Sequence, residues 1–329
     1  MRADGNESLV TSAGAPVGRP LRLHTKSVAP VVLPELDALQ SPARYLAQHS
    51  RSFRFSASMM ARDDRARVAR VYAWCRYTDN LVDGDVGSAL AERRLATWLD
   101  RSQEAYEGRD CGIPLVNHVM TEMAERAIPF AYARDLVRAM QSDLQFATFA
   151  DLDALRVYMY RAAGVVGRWL TELHGVDDSW MLDRATALGN AMQLTNILRD
   201  VGEDLARGRV YLPVAELCRH GLSLSALSAI HRGARPIDDA YRSLMEELMS
   251  AADEDYELAD AALPYLPRSF GRAAAVASAV YRGIHREIRR NDYDNFTRRA
   301  YTSGSRKIAL ALGALASLGL PRPLRPTPA

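Results

Sequence analysis

Asp79 and Asp83 stand four residues apart, and so do Asp200 and Asp204. On a helix that spacing puts each pair one turn apart on a single face. Tyr72 and Arg76 begin the first face at i and i+4, and Asp79 and Asp83 follow at i+7 and i+11. On the second, Gln193, Asn196, Asp200 and Asp204 recur at i, i+3, i+7 and i+11, flanked by Arg199 and Glu203. A lone pair of this kind reads as a solvated helix face. Two pairs facing one cavity read differently. Carboxylates about 6 Å apart repel by about 3 kcal/mol at an effective dielectric of about 20, so four together call for cations. Hard divalent ions take oxygen ligands, and Mg²⁺ is held by one or two carboxylates plus substrate phosphates. With amides and guanidinium groups alongside, the pattern points to Mg²⁺ and a diphosphate.

The elements that position these residues are helices. From Ser41 onward the pattern is helical almost throughout: Val68, Val71, Tyr72 and Cys75 recur at i, i+3, i+4 and i+7. Ala-, Leu-, Arg-, Met- and Glu-rich segments follow at Leu90–Glu107, Leu152–His174 and Tyr241–Ala262, separated by breakers such as Gly108, Pro114, Pro129, Gly175, Gly208 and Pro213. No strand alternation and no internal repeat is present. The expectation is an all-α bundle of ten or more helices in one domain over residues 41–320, with a flexible Gly-, Pro- and Ser-bearing leader at 1–40 and a tail at 321–329. A third stretch, Tyr158–Gly167, carries Tyr158, Ala162 and Val166 at i, i+4 and i+8 beside Ala163, Gly164 and Gly167. It suits the wall of an apolar tunnel and equally suits ordinary core. Gly202 inside the second acidic stretch reads either as a close helix contact or as an approach of ligand to backbone.

Composition bounds the rest. With 329 residues, 48% apolar and 25% charged, the chain can bury one large core. A net charge of +2 gives no argument for a nucleic-acid partner. Nearly all the cations are Arg; the lysines are Lys26 and Lys307. That bias suits phosphate recognition, which a guanidinium fork favours, but codon usage explains it as well. Cys75, Cys111 and Cys218 are odd in number and far apart, which argues against a disulfide framework or a zinc site and for a reducing compartment. Asp4 and Glu7 rule out a secretory signal. The longest apolar run, Ile308 to Leu320, is shorter than the roughly 20 residues that span a bilayer. A cytoplasmic protein is expected, with peripheral membrane contact allowed.

Five segments together resemble the phytoene/squalene synthase family. DNLVD (Asp79–Asp83) after YAWCR (Tyr72–Arg76), and NILRDVGEDLARGRVYLP (Asn196–Pro213), are similar to its two aspartate-rich motifs; the second is long and highly specific. YMYRAAGVVG (Tyr158–Gly167) resembles the segment between them, HSRSF (His49–Phe53) the N-terminal diphosphate-contacting segment, and YRGIHREI with YDNFTRRA (Tyr281–Ala300) the C-terminal helices. The likeness runs from about His49 to Lys307. It implies an isoprenoid-synthase helical bundle with a central cavity. It also implies Mg²⁺ (or Mn²⁺) on Asp79, Asp83, Asp200 and Asp204, with Gln193 and Asn196 helping to hold metal or substrate. Diphosphate contacts carry over to Arg76, Arg199, Arg298, Tyr72, Tyr281 and the His49–Phe53 segment, including Ser50 and Ser52. Asn80 stands where many members have a second Asp, and Ala162 where many have Val; the second departure bears on chain length.

The implied reaction is head-to-head condensation of two prenyl diphosphates through a cyclopropyl diphosphate. Tyr158 either faces the carbocation with its ring or packs. The released diphosphate is itself the base in this reading. A twenty-carbon donor giving phytoene is expected, the fifteen-carbon donor being the alternative. With no anchor before Ala329 and no Gly-rich nucleotide fingerprint, no NADPH requirement is expected. The form of the second motif argues against a terpene cyclase or head-to-tail elongase. A di-iron bundle would need paired Glu-x-x-His motifs, which are lacking. An inactive relative serving as an assembly factor would have lost metal-binding Asp, and all four are present.

Overall fold

The computed structural model describes residues 31–82 and 87–319. The α-helices are α1 (Pro42–His49), α2 (Arg51–Ala57), α3 (Arg62–Asn80), α4 (Ser88–Tyr106), α5 (Pro114–Glu125), α6 (Ala131–Leu144), α7 (Leu152–Met159), α8 (Val165–Leu173), α9 (Ser179–Arg199), α10 (Val201–Ala206), α11 (Val214–Arg219), α12 (Leu224–His231), α13 (Asp239–Asp260), α14 (Arg268–Arg290) and α15 (Gly304–Leu318). Among the described residues there is no strand. Short polar side chains open many of them. Asp151, Asp178, Ser223 and Asp238 each accept a hydrogen bond from a first-turn N–H of α7, α9, α12 and α13.

The helices are buried on more than one face, which is why their polar residues stand out. Trp74 of α3 packs between Trp98 of α4 and Trp169 of α8, at centroid distances of 5.9 and 5.4 Å. Trp74 and Trp98 donate to Ser102 and Thr78, so no buried indole N–H of this pair is stranded. α3 is thereby clamped on that side, and its other side, with Val68, Val71, Tyr72 and Cys75, is turned to a central cavity. α9 runs through the middle, packed on α8, α13 and α14.

Three expectations shift here. The last five residues of the expected leader, Leu36–Gln40, form a 3-10 turn with Leu39 buried; residues 1–30 and the tail at 321–329 lie outside the described residues. α3 ends at Asn80, and Asp83 also lies outside the described residues. Finally, the helix expected to run through Asp204 breaks at Asp200 (φ −103°, ψ 15°), which closes α9 and opens α10. The cause is tertiary. The Gly202 N–H donates to the Asn295 carbonyl at 3.0 Å, and a Cβ on Gly202 would meet the Phe296 carbonyl oxygen at 2.0 Å. Gly202 is therefore a close backbone contact. Between α7 and α8 the chain takes a π-helical turn at Tyr160–Gly164.

Candidate active site

A cavity with two chemically distinct parts runs into the bundle. The inner chamber is apolar, walled by Phe53 of α2, Val71 and Cys75 of α3, Val166 of α8, Leu188 and Met192 of α9 and Phe270 of α14. The mouth is polar and is lined by Arg76, Asp79, Asp143, Tyr158, Arg199, Asp200, Glu203, Asp204, Arg207, Arg209, Tyr211 and Arg299. Ala162, Gln193 and Asn196 line both parts, so chamber and mouth meet there.

Oxygen donors dominate the mouth, and guanidinium groups balance them. Arg199 binds Asp200 through two hydrogen bonds, Nε to Oδ1 at 2.7 Å and Nη2 to Oδ2 at 2.5 Å. Arg299 reaches the same carboxylate at 3.0 Å and Glu203 at 3.4 Å. Arg76 lies 3.7 Å from Asp79. Asp204 is the strained member: burial, then the charge of Asp200, push its pKa up to about 7 against the opposing pull of Arg207 and Arg209. Burial would weaken the charge on Arg199, but its bonds to Asp200 more than offset this and raise its pKa. The Oδ1 of Asn196 is buried and has no hydrogen-bond partner, although Nδ2 of the same side chain reaches Gln193 at 3.5 Å. An orphaned acceptor at the meeting point of chamber and mouth awaits a donor or a cation. Among the described residues no three acidic, His or Cys side chains converge enough to hold a metal ion. A cation in the mouth would thus complete its shell from the oxygens of a bound anion, in the way Mg²⁺ does.

Most of the residues expected from the sequence converge. Asp79, Arg76, Gln193, Asn196, Arg199, Asp200 and Asp204 line the mouth, and Phe53, Tyr72 and Val166 line the chamber. Ala162 sits at the junction of the two. Tyr158 belongs to the mouth: its hydroxyl donates to Asp143 at 3.0 Å, and its ring packs on Phe149 and Tyr211, each 5.3 Å away. Others stand behind the lining. Ser50 caps α2 by accepting from the Phe53 N–H at 3.1 Å. His49 is bonded to the Tyr45 carbonyl at 2.9 Å, and Ser52 offers its carbonyl to Ser56. Tyr281 is half-buried next to Tyr72 and Arg199. Asn80 donates to the Tyr45 hydroxyl at 2.8 Å.

Arg298 requires correction. Its side chain is 70% exposed and sits 3.7 Å from Asp294, away from the mouth; its neighbour Arg299 lines the mouth instead. The segment before α15 is irregular, with positive φ at Asp292 and Tyr293, so no helical phase distinguishes two adjacent arginines. Sequence reasoning also missed Asp143. This buried carboxylate accepts from Tyr158 at 3.0 Å and from Tyr211 at 2.9 Å. Its signal was an Asp on the buried face of α6, four and three residues beyond the apolar Ala139 and Met140. Arg207, Arg209 and Tyr211 lay within the second motif but had no assigned role.

Residues 46–306 match the family model described as squalene/phytoene synthase. The chloroplastic phytoene synthase 1 of Solanum lycopersicum is 33% identical over 279 residues, covering 83% of this chain and 66% of the relative. The chain thus spans about two thirds of that relative's length. Phytoene synthase 2 of the same plant is 34% identical over 269 residues, 80% of this chain and 84% of the relative. Among solved structures, a dehydrosqualene synthase in complex with ligand has a TM-score of 0.76 at 27% identity, covering 86% of this chain and 97% of that one. A squalene synthase from Alicyclobacillus acidocaldarius shares the fold, with a TM-score of 0.70 at 24% identity over 80% of this chain and 97% of that one.

Proposed function

Because the chain belongs to the squalene/phytoene synthase family, we propose that it joins two twenty-carbon prenyl diphosphates head to head, with Mg²⁺ at the mouth, to give phytoene. It is a prenyl-transferring enzyme. The observation that carries the reading is the junction at Ala162, Gln193 and Asn196, where an acidic and guanidinium-rich mouth opens on an apolar chamber. A prenyl diphosphate is built the same way, with an anionic head on a hydrocarbon tail.

Asp79, Asp200, Asp204 and the Asn196 Oδ1 supply hard oxygen donors for Mg²⁺, whose contribution when bound is to neutralise charge on the departing diphosphate. Arg207, Arg209 and Arg299 present donors to the same oxygens. The chamber walls exclude water, which would quench an allylic cation. The second molecule's double bond attacks that cation, and loss of a proton to the released diphosphate closes the ring of the cyclopropyl diphosphate; its own diphosphate then departs, and the resulting cation rearranges and loses a second proton. No reductant takes part.

Donor length is read from Ala162. An isoprene unit extends about 5 Å, close to the 5.4 Å pitch of a helix, so one wall position can decide whether another unit fits. A small residue at the junction leaves room for the longer chain. The dehydrosqualene synthase likeness makes the fifteen-carbon donor the competing reading. One assay decides: products from each donor, with and without Mg²⁺ and NADPH, for the wild type and for Ala162→Phe. The proposal expects metal-dependent phytoene without NADPH, and a larger loss of twenty-carbon than of fifteen-carbon turnover in the variant. Equal losses would make Ala162 a packing residue. A wild-type preference for the fifteen-carbon donor would refute the chain length.

A further inference from the structure

Arg184 is the one charged side chain among the described residues that line the apolar chamber. It belongs to the chamber's deep end. α9 lines the chamber from Asn196, at the junction with the mouth, through Met192 and Leu188 to Arg184 and Met181 near its first turn. The π-helical turn and α8 run the other way beside it, with Ala163 against Gly189 and Gly167 against Ala185, so Thr171 stands at the same deep end. Twelve residues separate Asn196 from Arg184, about 18 Å of helix rise. A long helical side chain leans toward the helix N-terminus, which carries the guanidinium a little deeper.

The guanidinium is held there without being neutralised. Its Cζ lies 4.3 Å from the centroid of the Trp180 ring, one turn earlier, and Trp180 meets Tyr265 edge-on at 5.8 Å. Nη1 reaches the Trp180 carbonyl at a long 3.4 Å, and the buried Nε has no hydrogen-bond partner. Among the described residues no carboxylate pairs with Arg184; the adjacent Asp183 faces Arg168 at 3.4 Å instead. The side chain as a whole is half-buried, so its remaining donors are left to solvent.

A hydrocarbon chain that extended past this level would cover the guanidinium, stripping its hydration and offering no acceptor in return. At about 5 Å per isoprene unit, chains of fifteen, twenty and twenty-five carbons that start at the junction end about 15, about 20 and about 25 Å down, against the 5.4 Å pitch of the helix beside them. The shortest stops before Arg184, the second reaches its level and the longest must pass it. We propose that Arg184 sets the longest prenyl chain the chamber accepts, and that it does so by charge rather than by bulk. This limit rests on the reading of the chamber as a prenyl site, and it acts at the far end from the room that Ala162 leaves at the junction.

The test is equilibrium titration, with Mg²⁺, of prenyl diphosphate analogues of fifteen, twenty and twenty-five carbons. Sulfur replaces the bridging oxygen in each, so that binding is read without turnover. The wild type should bind the twenty-carbon analogue tightest and the twenty-five-carbon one at least about tenfold more weakly. Arg184→Lys and Arg184→Met differ in charge at nearly equal length. The Lys variant should keep the wild-type profile, and the Met variant should bind the longest analogue at least as tightly as the twenty-carbon one, both with helical circular dichroism retained. Identical profiles for Lys and Met would make the limit a matter of bulk or packing and overturn the proposal. So would a wild type that binds the two longer analogues equally. If the wild type bound none of the three, the reading of the chamber itself would fall, and the limit with it; identical or flat profiles leave that reading standing.

Discussion

Asp204 shows how much of the site's chemistry sits in single side chains. In the metal-free protein it holds its proton up to a pH of about 7, whereas the unfolded chain releases it near the ordinary Asp value of about 3.9. A carboxyl raised on folding favours the folded state less and less as pH climbs between those two values. Asp204→Asn mimics the protonated form. With chelator present it should raise the thermal midpoint at pH 8 by at least about 2 °C, and little at pH 5, while turnover is abolished. A midpoint unchanged at pH 8 would show that the carboxylate bears no such burden. The neighbouring arginines give a second contrast. Arg299 touches Asp200 and Glu203 and lines the mouth, while Arg298 faces solvent. Arg299→Ala should cost at least about tenfold in kcat/KM, roughly 1.4 kcal/mol of barrier, and Arg298→Ala no more than about twofold. The reverse ranking in parallel kinetics would return Arg298 to the site. That Asp79, Asp200 and Asp204 share one mouth was legible in the sequence, because two acidic stretches at helical spacing are harder to explain by solvation than one. Asp143 was not, since its meaning depends on Tyr158 and on Tyr211, 68 residues away.

At the scale of elements, the break between α9 and α10 aims Asp200 and Asp204 into the mouth, and Gly202 permits it. Gly202→Ala would force a Cβ to 2.0 Å from a backbone oxygen, which cannot swing away as a side-chain tip can. The expected cost is about 1–3 kcal/mol of stability, with activity falling further because both aspartates ride on the same turn. Gly313 on α15 meets nothing within 4 Å, and Gly313→Ala should instead be neutral or stabilising by up to about 1 kcal/mol. Equal denaturation midpoints for the two variants would mean the α10 contact yields easily. Helical periodicity and breakers located α4 and α13 to within about two residues, since their caps and stops are local chemistry. The break at Asp200 was hidden because Asn295 and Phe296, far away in sequence, pack directly on Gly202.

For the molecule as a whole, ion pairs between elements contribute to acid stability. Glu122 of α5 receives Arg67 and Arg70 of α3 at 2.6 and 3.3 Å. Burial alone would raise its pKa; the hydrogen bond and charge of Arg67, helped by Arg70, outweigh that and hold it below the ordinary carboxylate range. Such a group stabilises the folded state above its unfolded pKa, about 4.3, and the gain is lost as pH falls through the folded value. Glu122→Gln should therefore lower the melting temperature at pH 7, with the deficit closing below about pH 4. A deficit that persisted in acid would trace to packing rather than charge. The all-helical architecture was legible at this scale, because the apolar pattern keeps one period throughout.

The chamber's walls also come from opposite ends of the chain. α3, α8 and α9 supply part of the lining, and α14, from Phe270 onward, supplies another part. During synthesis the first walls emerge with nothing to face, and the stretch from Asn196 to Phe270 takes roughly 4–15 s to follow at ~5–20 residues per second. Over that interval the nascent protein displays, as an open apolar trough, the surface that later shelters a cation from water. The yield of native enzyme should depend on what occupies that trough while translation finishes.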